Sequence, residues 1–218
     1  EVIKGFHNIR WRFEQWDRAL AEDKAGRKAS LKEEIAWIES RKERMLSFWE
    51  MVERGELPMR VTHNDTKCNN ISFDKDTGKV LAVLDLDTVM PGSMLYDFGD
   101  AIRFGASTAA EDEKNLDNVS LSLDRFRIYT RGFVRSCSEL TPNEVAMLPM
   151  GARTITLECG MRFLTDYLDG DHYFKIAYPD HNLVRARTQL KLVEDMEKKM
   201  PEINKIFKKI YADLGLEG

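Results

Sequence analysis

Apolar residues recur at helical spacing along most of this chain, and the pattern changes to that of short strands only once, between Asn70 and Leu84. That single change predicts a mainly α fold carrying one small β-hairpin. Phe13, Trp16 and Leu20 mark a first helix. Ser30-Leu31-Lys32-Glu33 has the form of a capping box. It predicts a helix with Leu31, Ile35, Ile38, Met45, Phe48 and Val52 inward, stopped by Gly55 and Pro58. Asn70–Phe73 and Val80–Leu84 are the strand candidates, with Asp76-Thr77-Gly78-Lys79 as the turn between them and Pro91-Gly92 as a loop beyond.

The remainder reads as helix. Leu123, Phe126, Phe133, Val134 and Cys137 define one segment. Thr141-Pro142-Asn143-Glu144 is a second capping box with Pro at the first helical position. It opens a long helix through Val145, Leu148, Ile155, Cys159, Phe163 and Tyr167, ending near Gly170. Another runs from about Asn182 to Pro201, with Leu183, Ala186, Leu190 and Val193 inward; a last short one carries Ile203, Ile206 and Ile210.

At 218 residues the chain can bury one core or two small ones. A net charge of −4 argues against a nucleic-acid partner. Cys68, Cys137 and Cys159 are odd in number and lack CxxC spacing, which reads as reduced thiols of a cytoplasmic protein. No apolar run is long enough to span a membrane. The chain opens on Glu-Val-Ile-Lys without Met, so a fragment or a processed product is expected.

Its chemistry concentrates between His63 and Asp85. Asp65 is followed five residues later by Asn70 and, at the end of the second strand, by Asp85. Two carboxylates and an amide oxygen are hard ligands suited to Mg²⁺. Phosphoryl transfer rests on positioning and on neutralising phosphate charge. Asp65 is therefore the candidate base that orients and deprotonates an acceptor hydroxyl, and Asn70 and Asp85 are the candidate Mg²⁺ ligands on the phosphates of a nucleotide. His63 is expected to brace the loop through hydrogen bonds.

This segment resembles the catalytic loop of the aminoglycoside phosphotransferase and choline kinase superfamily, a branch of the protein-kinase-like enzymes. That family's pattern is His-Gly-Asp, an Asn five residues on, a hairpin and a metal-binding Asp; here Asn64 replaces the Gly. Asp97-Phe98-Gly99 spells the protein-kinase metal motif but lies 27 residues after Asn70, whereas Asp85 lies 15 after it on the hairpin. The metal is accordingly assigned to Asp85. The resemblance implies that Asp97 braces the catalytic loop. Asp87 stays open between a place near a second metal and solvent.

Gly5-Phe6-His7, Leu84–Gly92, Tyr96–Arg103 and Arg162–Leu168 are similar to stretches of the N-acetylhexosamine 1-kinases, as are Gly170-Asp171, Tyr173 and His181-Asn182-Leu183. The resemblance implies ATP- and Mg²⁺-dependent phosphorylation of an anomeric hydroxyl, with Phe104, Arg162 and Tyr173 lining the sugar pocket. It also implies that residues 1–218 are the C-terminal lobe of the protein-kinase-like fold without the N-terminal nucleotide lobe, and so nearly inactive alone.

Plainer readings compete. Arg162, flanked by Glu158 and Asp166, is equally a helix-surface ion pair. Phe104 and Tyr173 could be core aromatics. His7, His172 and His181 show no metal-ligand spacing and read as structural. For the whole chain the alternatives are an aminoglycoside kinase, a non-catalytic binding module, and a haloacid-dehalogenase-like phosphatase with Asp85 as nucleophile. The first needs a carboxylate-rich pocket. The last needs alternating strands and helices.

Overall fold

A computed structural model describes residues 2–214. Helix α1 (Ile9–Glu22) starts where the Asn8 side chain accepts the Trp11 amide at 2.9 Å and buries Phe13 and Trp16. The continuous helix expected from Leu31 to Val52 is instead two, α2 (Lys32–Glu39) and α3 (Lys42–Glu53). The Ser30 capping box does not form: Ser30 sits in a 3₁₀ turn and its hydroxyl donates to the Arg27 carbonyl at 2.7 Å. The predicted inward residues Leu31, Ile38, Met45, Phe48 and Val52 are buried.

Four short strands follow: β1 (Arg60–Thr62), β2 (Ile71–Phe73), β3 (Val80–Val83) and β4 (Met90–Gly92). Strands β2 and β3 form the expected antiparallel hairpin, Ile71 opposite Val83, with an irregularity between Ser72 and Phe73. A second pair was not anticipated: β1 lies antiparallel to β4, Thr62 opposite Met90.

Four of the five remaining helices match the sequence reading, although α4 (Met94–Gly105) was not foreseen. Helix α5 spans Leu123–Ser136. Helix α6 (Pro142–Asp169) carries both bonds of the Thr141–Glu144 capping box and ends on Gly170 at φ 104°. Helix α7 is His181–Lys198 and α8 Met200–Leu214. Pro201 does not end a helix as expected. It lies in the first turn of α8, where a missing N–H costs nothing.

Helix α6 joins the molecule's two apolar clusters. Leu148, Ala152 and Ile155 pack with Phe48, Phe98, Phe126 and Phe207. Leu157, Met161, Leu164 and Leu168 pack with Phe13, Trp16, Ile38 and Val193. Gly99 brings α4 onto α6: a Cβ there would stand 2.6 Å from Ile155 Cγ2 and 2.8 Å from the Gly151 carbonyl. That close contact fixes α4, and with it Asp97, against the long helix. Among the described residues no helix is long and apolar enough to cross a membrane.

Candidate active site

The loop after β1 is held by hydrogen bonds from three directions. Asn64 adopts a left-handed conformation (φ 64°), which asparagine tolerates better than most residues. Its side chain donates to the carbonyls of Thr62, Thr88 and Met90 and accepts the Thr62 hydroxyl at 2.9 Å, tying the loop to β4. Gly92 makes room for this, because a Cβ there would collide with Thr62 Oγ1 and Asn64 Oδ1. The Asp97 carboxylate accepts the backbone amides of His63 at 2.9 Å and Asn64 at 2.7 Å. Burial raises the Asp97 carboxyl above its usual range, against those two amides, which pull it down. Thr66 Oγ1 donates to the Asp97 carbonyl and Thr88 Oγ1 to that of His63. His63 Nδ1 accepts the Asp65 amide at 3.3 Å, so Nε2 carries the proton and donates to the Leu84 carbonyl at 3.0 Å.

This frame leaves Asp65 half-buried with an asymmetric carboxylate. Oδ2 is bonded by Asn70 Nδ2 at 3.0 Å and paired with Lys67 Nζ at 3.1 Å. Asn70 Nδ2 also reaches the Asp65 carbonyl at 2.8 Å, so the donor side of the buried amide is occupied and its Oδ1 is the free end. The Leu84 amide donates to the Asn70 carbonyl at 2.8 Å. Asp85 follows at once, exposed and left-handed at φ 57°. One carboxylate and one amide oxygen suit Mg²⁺, which is ordinarily held by one or two carboxylates plus substrate phosphates. Among the described residues no group of three His, Cys, Asp or Glu is placed to hold a metal by itself. Asp87 is exposed in the 3₁₀ turn after Asp85.

Asp65 opens onto a cleft of ≈ 400 Å³. Its far wall comes from α6 and the segment after it: Arg162, Phe163, Tyr173 and Phe174. The Arg162 guanidinium lies 4.9 Å from the Phe6 ring centre, 5.6 Å from that of Phe174 and 5.9 Å from that of Tyr173. Glu158, fully buried, sits beneath it. His7 Nδ1 meets Glu158 Oε2 at 2.7 Å, Arg12 Nε meets Oε1 at 3.3 Å, and Arg162 lies at 3.9 Å. Burial alone would raise the Glu158 carboxyl, but His7 first, then Arg162 and Arg12, hold it down at about 2. His7 Nε2 also bonds the Asn64 carbonyl at 3.0 Å, so one imidazole links α6 to the loop after β1.

Asp166, the other expected flank of Arg162, is committed elsewhere. It accepts the amides of His172, Tyr173 and Phe174 and the Asn182 side chain, all within 2.9 Å. The aromatic wall is thereby pinned to the end of α6.

The structure thus brings Asp65, Arg162 and Tyr173 into one cleft, with Asn70 on Asp65 and with His63 and Asp97 bracing the loop. Phe104 is not brought in. It follows Arg103, whose side chain lines the cleft, and one residue is a rotation of about 100° around a helix; Phe104 is half-buried outside the lining. Sequence reasoning missed His7 and Glu158 as site residues. They are separated by 151 positions, and only Glu158's place on the same helix face as Arg162 hinted at a role. It missed Asp100 and Arg103 too, a buried pair (Asp100 Oδ1 to Arg103 Nε, 2.8 Å) lining the same cleft.

Residues 3–127, more than half of the chain, match the model of the phosphotransferase enzyme family. The chain belongs to that family. The matched span holds the loop after β1, the hairpin and α4 of this phosphotransferase, so Asp65, Asn70, Asp85 and Asp97 all fall inside it. Arg162 and Tyr173 fall outside, and their case rests on the cleft. The phosphatase alternative loses its fold: among the described residues the strand leading to Asp85 pairs only with β2, antiparallel, in a two-stranded sheet.

Proposed function

We propose that this phosphotransferase moves the terminal phosphoryl group of ATP to a hydroxyl of a small neutral sugar, with the anomeric hydroxyl of an N-acetylhexosamine as the acceptor. The observation that carries the reading is the asymmetry of Asp65. Its Oδ2 is engaged by Asn70 and Lys67, which leaves Oδ1 to receive the acceptor's hydroxyl proton as the new oxygen–phosphorus bond forms. Transfer breaks the bond between the terminal phosphorus and the bridging oxygen, and the diphosphate keeps that oxygen and its electron pair. Mg²⁺, when bound, would neutralise phosphate charge, and Asn70 Oδ1 and Asp85 are the groups to hold it.

Cleft charge favours a neutral acceptor. Asp65, Asp100, Glu111 and Glu158 are set against Lys67, Arg103, Arg162, Lys175 and Arg185. A polycationic aminoglycoside would need the opposite balance. Tyr173 and Phe174 offer apolar faces for a sugar ring. Asp100 Oδ2 is a buried acceptor on this wall without a hydrogen-bond partner among the described residues. On the nucleotide side, Val80, Leu81, Val83 and Leu84 of the hairpin are exposed beside the metal-ligand candidates, an apolar surface suited to a flat nucleobase.

The test is phosphate transfer from Mg-ATP to N-acetylglucosamine by the whole protein that contains this chain, beside its Asp65→Asn variant. Loss of about 10²–10⁴-fold in turnover with sugar affinity retained is expected. A near-wild-type rate in the variant overturns the assignment of the base; transfer only to a polycationic acceptor overturns that of the sugar.

A further inference from the structure

A second recess lies on the opposite side of α6 and takes no part in the site above. Ile155, Glu158, Cys159 and Arg162 face the cleft. Met147, Met150 and Arg153 project from the same helix about half a turn away, at roughly 100° per residue. The recess holds ≈ 860 Å³ and is bounded by α3, α6 and the start of α8. Its apolar wall is Phe48 with Met51, Met147, Met150 and Met200, the four methionines all half-buried. Methionine walls adapt to irregular apolar shapes.

Three guanidinium groups reach this recess from three places, and only one has its own counterion. Arg41 is satisfied: it bonds Glu197 at 2.7 Å and stacks on Trp37 at 3.6 Å. Arg44 is exposed and makes no hydrogen bond or ion pair with any described residue. Arg153 has a side chain only 10% exposed. The nearest acceptor to it is the Met150 thioether, a weak one, and Glu197, already engaged by Arg41, lies 3.8 Å away. Burial, then repulsion from Arg44, lowers the Arg153 guanidinium from its usual value, with Glu197 opposing. Glu43 is the remaining charged residue at the rim, and it is exposed. Arg153, a largely buried side chain, thus has no oxygen at hydrogen-bond distance and shares its one counterion, Glu197, with Arg41, so a further anion at the recess would meet unbalanced positive charge.

We propose that this recess binds a small organic anion: a compact phosphate or carboxylate head between Arg44 and Arg153, and an apolar body against the methionine wall. The head supplies the oxygens that Arg153 lacks. A bidentate geometry is natural for a planar guanidinium.

The probe is phenyl phosphate, titrated into the whole protein carrying ¹³C-methyl methionine. Saturable shifts are expected at the methyls of Met51, Met147, Met150 and Met200. Affinity should fall about tenfold or more in Arg44→Gln, which alters an exposed side chain and leaves the fold intact. Arg153→Lys keeps the charge but not the fork, and should weaken binding in the same direction. Phenol and inorganic phosphate, each supplying half of the ligand, should bind at least about tenfold more weakly. Shifts that never saturate, that appear only at other methionines, or that persist unchanged in both variants overturn the site. Equal binding of inorganic phosphate or of phenol overturns the amphipathic ligand. None of these readouts depends on Mg-ATP, so they stand or fall apart from the proposed phosphoryl transfer.

Discussion

Helix α6 and the β2–β3 hairpin are both rich in apolar residues, yet their environments are opposite. Leu157, Met161, Leu164 and Leu168 are almost wholly buried, whereas Val80, Leu81 and Val83 are 61%, 64% and 53% exposed. In α6 the apolar side chains stabilise the fold, and the polar ones project into two recesses. In the hairpin the fold depends on backbone pairing and on the turn built around Asp74, whose carboxylate accepts the Thr77 amide at 2.7 Å. The apolar side chains there are free to serve contact. Hydrophobicity alone therefore does not locate the core: one segment holds the two apolar clusters together and the other presents a surface.

The sharpest way to break this contrast is Leu164→Ala. Leu164 has no exposure, and its truncation should cost about 2–5 kcal/mol in denaturant unfolding. A loss below 1 kcal/mol would remove α6 from its central place. Next comes acid. The folded Glu158 carboxyl stands at about 2, below an unfolded value of roughly 4.3. Its contribution is complete above the unfolded value and is lost as pH falls through that window towards 2, on the order of 3 kcal/mol. Unfolding midpoints measured across this range should decline in the wild type and flatten in Glu158→Gln. Asp97→Asn is a smaller blow, about 1–3 kcal/mol, because an amide can accept only one of the two backbone N–H groups and turns a donor on the other. Hydrogen exchange at His63 and Asn64 should quicken while α6 stays protected. Least of all for stability is Leu81→Ser, within about 0.5 kcal/mol. It should raise the KM for ATP without changing the affinity for sugar; an unchanged KM would detach the hairpin surface from the nucleotide.

How much of this was legible in the sequence follows from what holds each part. Thr141-Pro142-Asn143-Glu144 and Gly170 predict α6 because caps are local chemistry, and both capping bonds form. Ser30 satisfied the same pattern and misled, because a 3₁₀ turn engaged its hydroxyl first. The break between α2 and α3 carries no Gly or Pro; it coincides with Arg41 binding Glu197, 156 residues away. Strands β1 and β4 are three residues each, too short for alternation to register, and the Asn64 side chain reinforces a pairing between segments far apart in sequence. Helix α4 was obscured by reading Asp97-Phe98-Gly99 as a motif, although Gly99 is there for its contact with α6. Among the candidate site residues, Asp65, Asn70 and Asp85 stand out in the sequence because they cluster along one short stretch. His7, Glu158 and Asp100 do not, since only tertiary packing gives them a common cleft.

The anchoring of residues 172–174 on Asp166 has a consequence for how recognition can change. Three successive amides and a neighbouring asparagine share one carboxylate, so the backbone of the aromatic wall is set before any acceptor arrives, and none of these four hydrogen bonds involves the Tyr173 side chain. That position is a replaceable tooth in a fixed jaw. On the proposed reading, exchanging the residue there alters what is gripped without disturbing the backbone that carries it, and a lineage of such enzymes could drift from one acceptor to another while the loop around Asp65 stays as it is.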